Sequence, residues 1–417
     1  MPLKSRIRSI EGLRGLAAGS VLVYHTWLYG SPGLQLVDLG PLSRFIFPAL
    51  PIGVTLFFTL SAFLLYRRFA AAIMRAQPRP SLKKYMRSRA LRILPAYWVI
   101  LLVVAIVFHA ALVRESRYVL RLGTLVDDAA ALLKNVFLVQ NYDPDTFYTG
   151  IGPAWSLAVE VVFYLTLPLL VLAAGACASR ASTRRGRRLA ALVPAVILFL
   201  LGLSGELVTA FLFSGPAPSW NGDWHSVLDR SFWSQADLFT FGLVVAVLSV
   251  DYEDGLLRLP SWWRRAASIG VVVALLLAGS ARLAGNGHLS YYTYEMLAAL
   301  ACGILLTIIV LPAGTRARPG ASLLESTLLV RIGIISYSLF LWHDPLVRWL
   351  RHHGLTMGGE GGFVVNLLLV ATISAALSVI TYRYVELPPM RHKGRSAQTP
   401  IQVEQAAARD DSWVAAP

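Results

Sequence analysis

Arg89-Ala90-Leu91-Arg92-Ile93-Leu94-Pro95-Ala96-Tyr97-Trp98 marks the point where a cationic segment gives way to an apolar one. Behind it lie Arg67, Arg68, Arg75, Arg79, Lys83, Lys84 and Arg87; ahead of it residues 93–113 form an apolar run, and residues 51–68 form another before the cations. A helix of about 20 apolar residues spans a bilayer core. Apolar, cationic, apolar therefore reads as two membrane crossings joined by a cytosolic loop.

Working outward, similar runs fall at 11–30, 154–175, 189–213, 235–250, 267–285, 293–313, 330–350 and 362–384. Hydrophobic residues make up 56% of the 417 and charged residues only 15%, so lipid is the main solvent of this chain. The net charge of +15 would suggest nucleic acid in a soluble protein. Here the cations sit in alternate loops: Arg180, Arg184, Arg185, Arg187 and Arg188, then Arg258, Arg264 and Arg265, then Arg316 and Arg318. That alternation is the positive-inside pattern, with the 114–153 segment breaking it, and it puts both termini in the cytosol. The expectation is an all-α, polytopic membrane bundle of about ten helices.

The first run follows basic residues as a signal peptide would, but it holds Tyr24 and His25 near its middle and no Ala-x-Ala site follows, so it reads as a retained helix. Residues 1–390 read as one transmembrane domain and 391–417 as a disordered cytosolic tail. Leu125–Gln140 has the pattern of an amphipathic helix lying at the interface. Cys177 and Cys302 offer no disulfide framework or metal spacing. No phosphate-binding glycine loop, dinucleotide fingerprint or metal-binding helix motif occurs, which disfavours an ATP-driven pump and a metalloenzyme.

Ionisable groups at membrane depth are costly and mark candidate sites. Arg14 and His25 are eleven residues apart, about three turns plus 20°, so they share a helix face about 16 Å apart. An arginine near the cytosolic end and an imidazole near mid-membrane suit a ligand with an anionic head and a deeper reactive group, as a phosphate-bearing thioester has. Lipid snorkelling by Arg14 and a structural bond from His25 fit the same spacing. Ser156, Glu160 and Tyr164 form a polar stripe at i, i+4, i+8. Glu160 there suits steering an imidazole, holding acceptor hydroxyls or anchoring helices. His343 and Asp344 lie deep in the ninth run, where Pro345 predicts a bend beside a cavity. Arg89 and Arg92 face the same way at i, i+3 and suit phosphate, although such cations also serve topology alone.

Several motifs in order resemble the acyltransferase-3 family of bacterial membrane O-acyltransferases. They are Glu11-Gly12-Leu13-Arg14-Gly15 with Tyr24-His25, Phe57-Phe58-Thr59-Leu60-Ser61, Arg89 to Tyr97, Trp155 to Tyr164, Trp342-His343, and Tyr384-Val385-Glu386-Leu387-Pro388. The resemblance covers about residues 8–388. It implies ten membrane helices, a cytosolic acyl-CoA donor (acetyl-CoA by default), no permanently bound cofactor, and an acceptor that is often a carbohydrate. His25 would be catalytic, and Arg14, Arg89 and Arg92 would serve the donor. Glu11 stands where the family usually has Asp, and Asp344 where an aromatic residue commonly precedes Pro.

Together these readings predict an O-acyltransferase of the bacterial inner membrane. His25 is its general base and Glu160 its helper, Arg14, Arg89 and Arg92 bind the donor, and Trp155, Tyr164, His343 and Asp344 bind the acceptor. The acceptor is a carbohydrate, a glycolipid or a glycosylated small molecule. The rival reading is a transporter carrying an acyl group, a glycan or a small molecule, which a polar cavity in a helix bundle also fits. Transporters often show internal duplication, and this sequence has none.

Overall fold

A computed structural model describes residues 3–285, 287–311 and 321–391. Helix α1 (Leu3–Tyr29) leads through irregular turns to α2 (Ile52–Met74) and α3 (Leu82–Leu102), which a π-helical turn continues to Val107. A β-hairpin follows, β1 (Ala111–Ser116) against β2 (Val119–Gly123), and then the short α4 (Ala129–Val136). After α5 (Ala154–Ser179) and α6 (Arg184–Leu212), three pieces form one jointed span: α7 (Trp224–Asp229), α8 (Phe232–Gln235) and α9 (Thr240–Glu253). Next come α10 (Trp263–Ala284), α11 (His288–Val310), α12 (Ala321–Leu324) and α13 (Thr327–Ile334). The described chain closes with α14 (Ser336–His352), α15 (Gly359–Thr381), a π-helical turn at Tyr382–Glu386 and α16 (Leu387–Arg391).

Among the described residues, eight helical segments are long and apolar enough to cross a membrane. The expected runs that fall outside this set are α1 and the α13–α14 pair. Both carry the ionisable residues singled out above, and α14, at 17 residues, is separated from α13 at Ile335. The chain is thus an integral membrane helical protein.

Four expectations need correction. The fold is not purely helical: residues 111–123 form the hairpin, tied to the chain before α5 by paired backbone bonds between Leu112 and Gly150, 2.8 Å each. Its turn is held by Arg114, whose guanidinium donates to the Arg117 carbonyl at 3.0 Å and the Phe147 carbonyl at 2.5 Å. The amphipathic helix shrinks from Leu125–Gln140 to Ala129–Val136, started by Asp128, whose side chain accepts from the Ala131 N–H. The bend expected at Pro345 does not interrupt α14, which runs through that residue; the interruption falls earlier, at Ile335. Finally, α1 begins at Leu3, so Arg14 lies mid-helix and His25 only four residues from its end. Ser9 donating to Glu325 at 2.7 Å and the Glu11–Arg14 ion pair at 3.3 Å let these polar turns continue as helix. The tail beyond Arg391, together with Arg316 and Arg318, lies outside the described residues.

Two features hold the frame. Cations at the end of α2 and the start of α6 meet carboxylates at the end of α9: Arg75 reaches Asp254 at 2.9 Å, Arg188 reaches Asp251 at 2.5 Å, and Arg67 and Arg184 pair with Glu253 and Asp254. Loop cations that set topology also tie helix ends together. At the other side of the bundle, α1 and α13 touch backbone to backbone. A Cβ on Gly15 would collide with the Leu329 carbonyl, and one on Gly333 with the Glu11 carbonyl. Small residues permit such approach between membrane helices.

Candidate active site

The end of α1 delivers His25 to α14. His25 Nδ1 lies 2.8 Å from His343 Nε2, the two rings stack with centroids 5.0 Å apart, and Asp344 Oδ1 lies 3.7 Å from the same Nδ1. Adjacent helical residues point about 100° apart, so His343 and Asp344 do not pair with each other. Instead they grip one imidazole from two sides. His343 is buried, and its Nδ1 lies 3.1 Å from the Leu339 carbonyl one turn earlier.

That carbonyl sets the protons. A carbonyl only accepts, so His343 Nδ1 carries the hydrogen and Nε2 presents a lone pair. His25 Nδ1–H donates to that lone pair, which leaves the neutral His25 with a lone pair on Nε2. No described residue bonds to that nitrogen, and the side chain keeps 13% of its surface exposed. Asp344, fully buried, completes the arrangement: Arg348 Nε donates to both its oxygens at 3.0 Å, one turn along α14. The Arg348 guanidinium also lies 3.5 Å above the Tyr29 ring at the end of α1, a favourable site for a desolvated cation. Gly152, before α5, makes room for the carboxylate, since a Cβ there would come within 2.8 Å of Asp344 Oδ2.

Glu160 belongs elsewhere. Ser61 of α2 and Tyr164 of its own helix both donate to its Oε1, and the charges that face it are Arg89 and Arg14. The expectation that Glu160 steers the imidazole is therefore corrected: Asp344 and His343 hold that place. Tyr164 likewise lies in this second cluster, where Tyr85 donates to its carbonyl at 3.2 Å. By helical rise Arg14 lies about 16 Å along α1 from His25, so two polar clusters sit at different depths beside one helix.

The three arginines expected to serve the donor differ. Arg14 leans on Glu11. Arg89 contacts Ser88 at 3.2 Å and keeps a buried Nε without a hydrogen-bond partner among the described residues. Arg92 is committed, donating to Glu386 at 3.0 Å, and Glu386 in turn accepts from Ser338 of α14. The π-helical turn at Tyr382–Glu386 delivers that carboxylate, so Arg92 clasps α3, α14 and the end of α15.

Trp155 stands apart from His25 in an aromatic box around a buried arginine. Arg230 lies 4.8 Å from the Trp155 ring and 4.6 Å from the Trp220 ring, and donates to Glu295 at 3.2 Å and Tyr291 at 2.7 Å. Trp220 keeps 40% of its surface exposed and meets Tyr148 edge-on at 4.9 Å. On the hairpin side, a cavity of about 430 Å³ is lined by Leu112, Arg121, Arg348 and Arg351. Arg348 therefore has one face on the cavity and the other on Asp344.

Arg348, Tyr29, Ser61 and Arg230 were missed from the sequence. Arg348 had a local signal, the i, i+4 spacing from Asp344. Ser61 and Glu160 are 99 residues apart and had none.

The fold is a membrane helical bundle with a buried imidazole held by a carboxylate and a second histidine, and comparison with known proteins gives its class. The acyltransferase-3 family model, described as an acyltransferase domain, matches residues 7–383, and the chain belongs to that family. It is 26% identical to the acyltransferase MdmB of Streptomyces mycarofaciens, across 99% of this chain and 98% of that one. It is 27% identical to the putative membrane-bound transacylase BcsY of Komagataeibacter xylinus, across 94% and 85%. With the O-acetyltransferase OatA of Staphylococcus aureus it shares 24% identity over 93% of its own length and 58% of that protein's. No solved structure matches.

Proposed function

We propose that this chain is an O-acyltransferase of the bacterial inner membrane, spanning it ten times with both termini in the cytosol. It moves an acyl group from cytosolic acyl-CoA to a hydroxyl of a carbohydrate or glycosylated acceptor. The printed name of the Staphylococcus aureus relative, an O-acetyltransferase, favours acetyl. The observation that carries the proposal is the run of contacts from the Leu339 carbonyl through His343 to His25, from which an unprotonated His25 Nε2 follows.

Donor phosphates approach from the cytosolic side toward Arg89 and Arg14, with Glu160 keeping Ser61 and Tyr164 in place between them. The acceptor arrives from the hairpin side, past the Arg348-lined cavity and the exposed ring of Trp220; sugars pack well on such rings. His25 Nε2 takes the hydroxyl proton as the acceptor oxygen attacks the thioester carbonyl. The carbon–sulfur bond breaks, and the CoA thiolate recovers that proton from the imidazolium. Asp344, 3.7 Å from His25 Nδ1, stabilises the cation in between. General-base help of this kind contributes ~10²–10⁴-fold in rate. Membranes from cells with and without the protein, given acyl-labelled CoA, test the reading. A protein-dependent, base-labile ester on a glycan or glycosylated acceptor is expected; label that crosses the membrane without ester formation would refute it.

A further inference from the structure

His225 and Asp229 on α7 and His288 at the start of α11 converge on one point, and each offers a ligand atom within 4.8 Å of the others. We propose that these three side chains bind a zinc ion that staples the α7 segment to α11. The chemistry fits. Two imidazoles and one carboxylate are common zinc donors, and three protein ligands leave a fourth position for water.

The geometry is close to that of a loaded site. Zinc bonds of about 2.1 Å in a tetrahedron set neighbouring donors about 3.4 Å apart. His225 Nε2 already lies 3.4 Å from Asp229 Oδ2, and His288 Nδ1 lies 3.9 Å from Asp229 Oδ1. Loading the site takes a shift of roughly half an ångström by the His288 ring toward Asp229, together with approach of the two imidazoles, whose ligand atoms lie within 4.8 Å of each other.

A second, independent observation points to a ligand. Among the described residues, His225 Nε2 and both His288 ring nitrogens are buried without a hydrogen-bond partner, and His288 is only 7% exposed. His288 faces the Phe213 carbonyl without reaching bonding geometry. Buried nitrogens left like this are rare and need an explanation. The two imidazoles approach the Asp229 carboxylate but do not donate to it in line, which is the arrangement of groups sharing a common target.

Asp229 is also prepared as metal carboxylates are. The Ser219 N–H donates to Oδ2 at 3.0 Å and the Tyr292 hydroxyl to Oδ1 at 2.9 Å, so neutral donors orient it. The neighbouring cation, Arg230, is engaged by Glu295 and Tyr291. Ser219 directly precedes Trp220 in the chain, so a metal held by Asp229 fixes the loop that presents this ring.

The test uses full-length protein in detergent with a histidine-free affinity tag. The sample is stripped with chelator, reloaded with zinc or cobalt(II), and measured by elemental analysis, visible absorption and thermal unfolding. Wild type should hold about one zinc per chain, unfold at higher temperature with zinc than without, and give the intense visible bands of four-coordinate cobalt. Asp229→Asn and His288→Ala should lose all three. Zinc content no greater in wild type than in these variants overturns the proposal. If a variant does not fold, the stripped wild type decides alone: unfolding indifferent to zinc, or a six-coordinate cobalt spectrum, overturns it.

Discussion

His25 Nδ1 and His343 Nε2 lie 2.8 Å apart with their rings stacked, joining the last turn of α1 to the middle of α14. This contact acts through orientation. It fixes which nitrogen of His25 carries the proton, as the carboxylate does for histidine in hydrolase triads. The difference is that a second imidazole, itself fixed by a backbone carbonyl, supplies the acceptor, while Asp344 stands slightly further off as the counter-charge.

Removing that acceptor frees His25 to adopt either tautomer. His343→Ala is expected to lower kcat by about 10²-fold while leaving KM for the acyl donor nearly unchanged. Steady-state kinetics with purified protein measure both. A rise in donor KM at constant kcat would assign His343 to binding instead.

The Asp344–Arg348 pair separates catalysis from stability. Arg348→Ala leaves a buried carboxylate without its cation and should cost about 3–5 kcal/mol. The double variant Asp344→Leu, Arg348→Met replaces both charges with apolar groups and should recover much of that loss in thermal unfolding, yet stay inactive. A double variant with wild-type turnover would show that Asp344 contributes packing only.

The arginines proposed to serve the donor should not behave alike. Arg89 has a buried nitrogen to offer, whereas Arg92 is bound to Glu386. Arg89→Ala is expected to raise KM for acyl-CoA roughly tenfold, about 1.4 kcal/mol of donor binding, with little change in melting temperature. Arg92→Ala should instead lower the melting temperature. The reverse outcome would reassign the two residues.

Close contact between α1 and α13 gives a prediction about the frame. Gly15→Val pushes a branched side chain into the Leu329 carbonyl and should reduce folded, membrane-extractable protein. Size-exclusion chromatography of the detergent extract measures this, and a monodisperse variant at wild-type yield would contradict it.

How legible this was depended on the range of each interaction. The apolar runs and loop cations gave the membrane bundle because both signals are local. Arg14 and His25 sharing a face followed from helical geometry. His343 and Asp344 stood out as ionisable groups in an apolar run, but their shared grip on His25 joins residues 318 positions apart in the case of His343. The pairing of Glu160 with Ser61 was hidden for the same reason: a polar stripe on one helix does not say which partner helix faces it. The hairpin at 111–123 was hidden because apolar residues 110–113 extend the preceding run with only His109 between. His225 and Asp229 share a helix face at i, i+4, but that pair alone is not a metal motif, and the third residue of the proposed site, His288, is 59 residues beyond Asp229, in another helix.

The most direct measurement is acyl transfer by His25→Gln, which preserves shape and a hydrogen-bonding amide but cannot take up the proton. Membranes with equal amounts of folded wild-type and variant protein are given labelled acetyl-CoA, and the ester formed on the acceptor is counted. The account predicts at least about a 10²-fold loss with donor binding retained. Transfer at the wild-type rate would contradict it, since the imidazole that His343 and Asp344 hold in place would then have no part in the chemistry.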